Sequence, residues 1–177
     1  MKQVYLLTGR PGTGKTSIIK QAVAVMEGKA GGFYTEEIRS QGIRQGFKLV
    51  TLDGQSAILA HINIHSPYLV SKYGVDIDSL DRVGVSALRR AAQQCDLVVI
   101  DEIGKMELFS ANFREAVLQI IDSGKKVLGT IMLSPHPWAD AIKRQSQVKL
   151  VEVTRYNHHQ VLEELRRWLK VTDVDKE

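Results

Sequence analysis

The sequence predicts an α/β fold, a three-layer sandwich in which helices cover both faces of a mainly parallel sheet. Two observations support this prediction. Short apolar runs typical of buried strands alternate along the chain with segments whose apolar residues recur at helical spacing. Glycines stand where helical segments end, notably Gly28 and Gly124. In folds of this class the ligand binds at the carboxyl ends of the strands.

In the amino-terminal part of the chain, residues 4–7 form an apolar run that predicts the first strand, and the helical segment after it ends at Gly28. Residues 32–38, 44–52 and 56–61 then have the pattern of extended segments, with turn residues between them. Because short turns join antiparallel neighbours, we expect an inserted β-hairpin or meander here.

In the rest of the chain, helices and strands alternate. Residues 78–94 carry their apolar side chains on one helical face, and the apolar run 97–100 predicts a buried strand. Ser110 is a suitable N-cap for the next helix, which Gly124 ends. The remaining predicted elements are a strand at 126–132, a short helix at 138–144, a strand at 148–153 and a final helix.

The most specific motif lies directly after the first strand, where residues 9–16 match the pattern G-x-x-x-x-G-K-[ST] of a phosphate-binding loop. These residues are Gly9, Arg10, Pro11, Gly12, Thr13, Gly14, Lys15 and Thr16. Such a loop points backbone N–H groups at phosphate oxygens, and the following helix presents its positive end to the same anion. Lys15 would reach the β- and γ-phosphates and Thr16 would offer its hydroxyl to Mg²⁺, which favours a nucleoside triphosphate as ligand.

A second motif follows the strand predicted at 97–100. Asp101 and Glu102 come directly after the apolar run, which is the Walker B pattern that accompanies a phosphate loop. Asp101 could hold Mg²⁺ through a water, and Glu102 could polarise the water that attacks the γ-phosphate. An acid directly after the Walker B aspartate is typical of RecA-like and AAA-type ATPases. We therefore predict a P-loop NTPase sandwich of the RecA-like type, with Mg²⁺ as cofactor.

Other polar groups are candidates for contact with the nucleotide. Lys105 and Arg10 could stabilise transition-state charge, as could Arg39 and Arg44 on the hairpin, although each is also explained as a surface charge. Thr130 stands near the end of the next strand, as a γ-phosphate sensor or simply as a residue that favours strands.

Gly104 completes a D-x-x-G pattern at residues 101–104, and we include it among the nucleotide-binding residues. This pattern also occurs in GTP-binding switch proteins. No N-K-x-D motif for guanine follows in the sequence, which argues against a dedicated GTP switch.

Composition indicates one soluble domain over residues 1–177, with 44% hydrophobic and 25% charged residues. No apolar stretch approaches the roughly 20 residues of a membrane span, and no signal-peptide pattern follows Met1. We therefore expect a cytoplasmic protein without a membrane partner. Cys95 is the only cysteine, which excludes an internal disulfide. The net charge of +4 permits contact with nucleic acid but forms no basic stripe that indicates it, and we favour a monomer.

Several stretches match one known family. Besides the phosphate loop, these are 32–39, 46–47, 73–75 and, most specifically, 101–110, with the sequence DEIGKMELFS. On these motifs the chain resembles, over nearly its whole length, the small thermophilic-type nucleoside triphosphatases, the family of the cancer-related nucleoside triphosphatase. The resemblance implies a Mg²⁺-dependent hydrolase that cleaves several nucleoside triphosphates to diphosphate and phosphate, slowly and with weak base preference.

The same resemblance implies a base contact at Asn157, which follows the last strand. Arg155 and Tyr156, just before it, differ from the residues usual in the family.

Two other functions remain open from the residues. A P-loop kinase would use the same loop to transfer phosphate to a nucleotide, nucleoside or other small acceptor. A nucleotide-gated binding module for RNA or protein would use hydrolysis as a timer. The destination of the phosphate separates hydrolase from kinase, and salt-sensitive stimulation by nucleic acid would indicate the module.

Overall fold

The computed structural model describes residues 1–171, so residues 172–177 of the predicted domain lie outside the described residues. Within the described part the strands are β1 (Val4–Thr8), β2 (Ala30–Ser40), β3 (Ile43–Thr51), β4 (Ser56–His61), β5 (Leu69–Val70), β6 (Tyr73–Val75), β7 (Leu97–Ile103), β8 (Lys126–Ile131) and β9 (Val148–Glu152). The α-helices are α1 (Lys15–Ala24), α2 (Ile77–Ser79), α3 (Ser86–Gln94), α4 (Ala111–Asp122), α5 (Pro137–Lys143) and α6 (His158–Lys170). Two further helical pieces are a π-helical segment at Leu80–Val85 and a 3₁₀ turn at Glu107–Phe109.

The strands form one sheet in the order β5-β6-β4-β3-β2-β7-β8-β1-β9. The five strands from β2 to β9 in this order pair in parallel. The others continue from β2 as an antiparallel extension. The predicted α/β sheet with parallel central strands is therefore confirmed, and β8 lies between β1 and β7 as in RecA-like proteins. The predicted hairpin is larger than expected, because β4, β6 and β5 extend it.

Each face of the sheet carries its own apolar core. The core that we call the α4-side core is formed with α3, α4 and α5, and the α6-side core is formed with α1 and α6. Alternate residues of β1 enter opposite cores, with Val4 in the first and Tyr5 in the second. A strand buried on both faces has a continuous apolar sequence, which is why the run at 4–7 was recognisable. Among the helices within residues 1–171, none is long and apolar enough to cross a membrane.

Several element boundaries differ from the prediction. Helix α1 ends at Ala24, earlier than Gly28, because the chain must turn back to enter β2 at Ala30. In that turn Gly28 has a φ of 96°, and the backbone N–H of Lys29 donates to the Asp96 carboxylate at 2.7 Å.

The helical region predicted at 78–94 starts at Ile77 and contains the π-helical segment. Asp76 caps it by accepting a hydrogen bond from the N–H of Ser79 at 3.0 Å. Within the π-helical segment, a Cβ on Gly84 would lie 3.1 Å from Leu49 on β3, so the helical turn packs closely on the antiparallel extension. Strand β7 is longer than the predicted 97–100 and includes both acids of the Walker B pattern.

Candidate active site

The phosphate loop connects β1 to α1 and depends on glycine at its two ends. Gly9 has a φ of 147°, and a Cβ there would lie 2.5 Å from the carbonyl oxygen of Val153. Gly14, with a φ of 86°, precedes the first residue of α1, and a Cβ there would lie 3.0 Å from Nε2 of His158. Because side chains are disfavoured at such φ values, glycine permits both the loop conformation and its close contact with the segment after β9.

Lys15 folds back over the loop that it belongs to. Its Nζ donates to the carbonyl oxygens of Gly9 at 3.0 Å and Arg10 at 2.9 Å. The hydroxyl of Thr13 donates to the same Arg10 oxygen at 2.9 Å. The ammonium group therefore lies at the mouth of the loop, where the N-terminus of α1 also contributes positive potential. The tip residues Arg10, Pro11 and Gly12 are exposed.

Asp101 is the point at which the loop, β2, β7 and β8 meet. Its side chain is 3% exposed and accepts hydrogen bonds from the hydroxyls of Thr16 at 2.8 Å and Thr130 at 2.7 Å. Its carbonyl oxygen accepts another from the Thr35 hydroxyl at 2.6 Å. The structure thus brings together three residues predicted at separate places in the sequence, namely Thr16, Asp101 and Thr130.

Burial raises the pKa of Asp101, and this effect is opposed by hydrogen bonds from Thr130 and Thr16 and by the charges of Lys20 and Lys15. The adjacent hydroxyl and carboxylate oxygens suit Mg²⁺, which is usually bound by one or two carboxylates together with waters and phosphate oxygens. The residues present therefore fit this ion.

Glu102 lies beside a second acid, Glu107, which is only 4% exposed. A Cβ on Gly104 would overlap Oε1 of Glu102 and would lie 3.2 Å from Oε2 of Glu107. The N–H of Gly104 donates to that Glu107 oxygen at 3.1 Å. Glycine at position 104 therefore allows both carboxyl groups to approach one short turn.

The environment raises the pKa of both glutamates. For Glu102 the causes are burial and then the charge of Asp101, opposed by Lys15. For Glu107 burial is again the largest cause, followed by the charge of Glu102, and the pKa is raised well above its ordinary value. A carboxyl group in such surroundings holds its proton to higher pH than an exposed one.

A cavity of about 410 Å³ extends from Glu102 to the antiparallel extension of the sheet. Its lining includes the acids Glu36 and Glu37 and apolar side chains such as Phe47 and Leu59. The volume falls within the range of pockets that hold small organic molecules. The carboxyl ends of the central strands therefore border a space larger than a phosphate group requires.

The four candidate cations lie in different surroundings. Lys105 lines the cavity, whereas Arg10 lies on the exposed tip of the phosphate loop. Arg39 and Arg44 both form ion pairs with Glu37, at 2.6 and 3.3 Å. Of these cations, Lys105 is thus the one that shares a cavity wall with the Walker B acids.

Asn157 lies in the turn between β9 and α6. Its Oδ1 accepts a hydrogen bond from the N–H of Thr154 at 2.8 Å, and its Nδ2 donates to the carbonyl oxygen of Glu152 at 2.8 Å. Both ends of the side-chain amide therefore hold the backbone of this turn, which lies against the phosphate loop.

Two residues of the site were not singled out from the sequence. Glu107 stands between apolar residues in the stretch Met-Glu-Leu-Phe, and an acid inside an apolar run is a signal for a buried carboxyl group. Thr35 gave no such signal, because threonine is common in strands and its hydroxyl partner is distant in sequence.

Comparison with known proteins identifies the family of this chain. A family model described as NTPase matches residues 4–166. The nucleoside-triphosphatase THEP1 of Thermotoga maritima is 46% identical over 172 residues, which cover 97% of this chain and 98% of that protein. The cancer-related nucleoside-triphosphatase homolog of Mus musculus is 36% identical, over 93% of this chain and 95% of that protein.

Two solved structures have a similar fold. The crystal structure of THEP1 from the hyperthermophile Aquifex aeolicus has a TM-score of 0.86 and 35% identity, covering 95% of this chain and 99% of that one. The solution structure of a human cancer-related nucleoside triphosphatase has a TM-score of 0.79 and 36% identity, covering 96% and 98%. The resemblance and the fold class predicted from the sequence are confirmed, and the chain belongs to the NTPase family.

Proposed function

We propose that this member of the NTPase family hydrolyses ATP, GTP, CTP and UTP with Mg²⁺, and that Glu102 orients the attacking water. Hydrolysis of nucleoside triphosphates is the activity of the family, and the broad base preference and the residue roles are our proposal. The observation that supports it most directly is the hydrogen bond of 2.8 Å between Thr16 of the phosphate loop and Asp101. This contact between the last residue of the phosphate loop and the Walker B aspartate supports a common role for the two in one site.

In the proposed reaction the phosphate loop and Lys15 hold the triphosphate, since phosphoryl transfer depends mainly on positioning and electrostatics. A water oxygen bonds to the γ-phosphorus while the bond from that phosphorus to the β,γ-bridging oxygen breaks. Glu102 accepts the proton of the water. Its raised pKa brings this carboxylate closer to the range in which a base is effective near neutral pH.

Mg²⁺ would be held by Thr16 and Asp101, the latter directly or through a water. When bound, the ion would supply positive charge that offsets the negative charge of the triphosphate during phosphoryl transfer. Thr130 keeps the Asp101 carboxylate oriented through its hydrogen bond of 2.7 Å. Lys105, on the cavity wall, is the cation that we propose for stabilising the transition state.

Phosphate release from the four nucleotides tests this assignment. We expect Glu102→Gln to lower kcat at least about a hundred-fold for every nucleotide, which is the usual size of a general-base contribution. Lys15→Ala removes a charged hydrogen-bond donor and should raise KM at least about ten-fold. Glu115→Gln on the exposed face of α4 makes the same chemical change away from the site and serves as the matched control.

The proposed role of Glu102 is wrong if Glu102→Gln hydrolyses at the wild-type rate. If Glu115→Gln loses as much activity as Glu102→Gln, the loss comes from removing a negative charge anywhere on the protein and not from the position of Glu102. Circular dichroism of each variant separates loss of chemistry from loss of fold.

The cavity beside Glu102 favours one second candidate, transfer of the γ-phosphoryl group to a small acceptor. Its volume of about 410 Å³ and its mixed acidic and apolar lining provide room for an organic molecule next to the candidate base. Consumption of ATP that depends on an acceptor and releases no equivalent phosphate would identify this activity. Hydrolysis at full rate with water alone favours the NTPase.

We also propose that the protein is a cytoplasmic monomer. Cys95 is a buried free thiol, so the fold contains no disulfide that would need an oxidising compartment. Light scattering after size exclusion gives the mass of the particle directly. A mass near 19.8 kDa supports the monomer, and a multiple of it does not.

A further inference from the structure

Tyr156 is the most exposed of the large apolar side chains within residues 1–171, with 95% of its surface accessible. It stands in the turn between β9 and α6. Burial of its ring by a ligand would remove a large apolar surface from water, which favours binding. An aromatic side chain projecting this far from a turn beside the phosphate loop is therefore a candidate binding surface.

The turn that carries Tyr156 is fixed against the phosphate loop on both sides. Before it, Val153 approaches Gly9 so closely that a Cβ on that glycine would lie 2.5 Å from the Val153 carbonyl oxygen. After it, the His158 ring packs beside Gly14. Tyr156 lies between these two contacts, three residues after one and two before the other. The backbone that carries the ring is consequently held against the phosphate loop at both ends of this turn.

Hydrogen bonds also make the turn rigid. The N–H of Tyr156 donates to the Thr154 hydroxyl at 3.2 Å, and Asn157 holds Thr154 and Glu152 through its side-chain amide at 2.8 Å each. The backbone beneath the ring is thus ordered without a ligand. Binding on such a preorganised surface costs less conformational entropy than binding that must first order a loop.

The strand order gives the direction in which a bound nucleotide runs. Thr16 and Asp101 mark the γ-phosphate end of the site, and Asp101 lies on β7. In the sheet, β1 lies between β8 and β9, so the phosphate loop after β1 has the metal-binding groups on its β8 side. A triphosphate with its γ-phosphate on that side therefore places its nucleoside towards β9 and the turn that follows it.

We propose that the Tyr156 ring is the stacking surface for the nucleobase of the bound nucleoside triphosphate. This inference rests on the proposed function, because it uses the direction of the triphosphate in that site. Every base has a π face, so stacking on an aromatic ring binds purines and pyrimidines with little reading of their hydrogen-bonding edges. The larger purine face gains more contact. Tyr156 accordingly contributes affinity for nucleotides with any of the four bases, and ATP and GTP are bound more tightly than CTP and UTP.

Tyr156→Ala and an inhibitor without a base test this role. We expect the variant to raise KM for ATP and GTP about five-fold or more, and less for CTP and UTP, as expected for loss of one stacked base. Inhibition by Mg²⁺-tripolyphosphate, which has the phosphates alone, should stay within about two-fold of wild type. Tyr156→Phe keeps the ring and should restore KM. Tyr68→Ala removes an exposed tyrosine that packs on Phe109 of the 3₁₀ turn and not on the turn between β9 and α6, so its KM values serve as the matched control.

The inference is overturned if KM for all four nucleotides is unchanged in Tyr156→Ala. It is also overturned if tripolyphosphate inhibition weakens as much as nucleotide binding, because the ring would then act through the shape of the phosphate loop. Affinity for ADP, measured by calorimetry, distinguishes failure of the Tyr156 role from failure of the proposed NTPase function. If the wild-type chain binds ADP but releases no phosphate from any nucleotide, the proposed function fails and the ADP affinities still test Tyr156.

Discussion

At the scale of single residues, Glu107 is a carboxyl group that folding has placed in an unfavourable setting for its charge. It is buried, and Glu102 and Asp101 both raise its pKa. Since the folded state binds its proton more tightly than the unfolded state, stability is lost as pH rises above the ordinary value of 4.5 towards the raised value. A neutral side chain of the same shape avoids this loss.

We therefore expect Glu107→Gln to be more stable than wild type near neutral pH, by an amount that grows as pH rises. The glutamine oxygen can still accept the hydrogen bond from Gly104. Urea unfolding at pH 5, 6, 7 and 8 measures the difference in the free energy of unfolding. Glu115→Gln, on the exposed face of α4, should show a constant difference, and a flat profile for Glu107→Gln as well would contradict the raised pKa.

Part of the site could be predicted because it consists of local motifs. The rest depends on how residues are buried in the folded protein, which the sequence alone does not show. Lys15 and Thr16 belong to a pattern of consecutive residues, so their place follows from sequence. Asp101 was predicted because it ends an apolar run. The charge state of Glu107 depends instead on the packing of the 3₁₀ turn and on Glu102, and no local pattern encodes that environment.

At the scale of elements, Ser110 connects two helical pieces. Its hydroxyl oxygen accepts a hydrogen bond from the N–H of Phe113 at 3.0 Å, which caps α4, and it donates to the carboxylate of Asp81 in the π-helical segment. The side chain is 1% exposed. One small residue therefore begins a helix and joins it to a neighbour.

Replacement of Ser110 by alanine should lower the free energy of unfolding by about 1–2 kcal/mol, since it removes an N-cap and a buried hydrogen bond. Urea denaturation with an unchanged m-value would show that stability alone has changed. Ser146→Ala, at an exposed serine, is the control and should stay within about 0.5 kcal/mol of wild type. Equal stability of the two variants would mean that α4 does not need this cap.

Some element boundaries are set by local residues and could be predicted, whereas others are set by tertiary contacts and could not. The start of α4 directly after Ser110 and its end shortly before Gly124 were predictable, because caps are local. Strands β5 and β6 were missed because two or three residues are too few to show alternation. The π-helical turn was also missed, since its close contact between Gly84 and β3 is tertiary.

At the scale of the whole molecule, the two cores share the same central strands. Residues of β7 alternate between them, with Val98 in the α4-side core and Val99 in the α6-side core. If these strands unfold, the apolar side chains of both cores become exposed to water. Alternating helices and strands predicted such parallel layers, but the position of β8 between β1 and β7 depends on contacts between distant segments, so it followed only from the RecA-like type that the Walker B acids indicated.

A shared sheet predicts that both cores unfold in one step. Trp138 packs on the α4-side core and Trp168 lies in the α6-side core, so Trp168→Phe and Trp138→Phe each leave a reporter of one core. In each variant, the urea transition followed by tryptophan fluorescence should coincide with that followed by far-UV circular dichroism. A fluorescence midpoint that differs from the dichroism midpoint would show that one face unfolds separately.

The order of the strands also determines what lies at the two borders of the sheet. One border is β5, which is two residues long, and the other is β9, where Lys149 and Glu152 are exposed and Lys149 forms an ion pair with Glu164. Backbone groups at a sheet border can pair with a strand of another molecule, and short or charged borders resist this. The folded protein is thus poorly suited to edge-to-edge aggregation, so a concentrated solution should stay clear until the fold itself is lost.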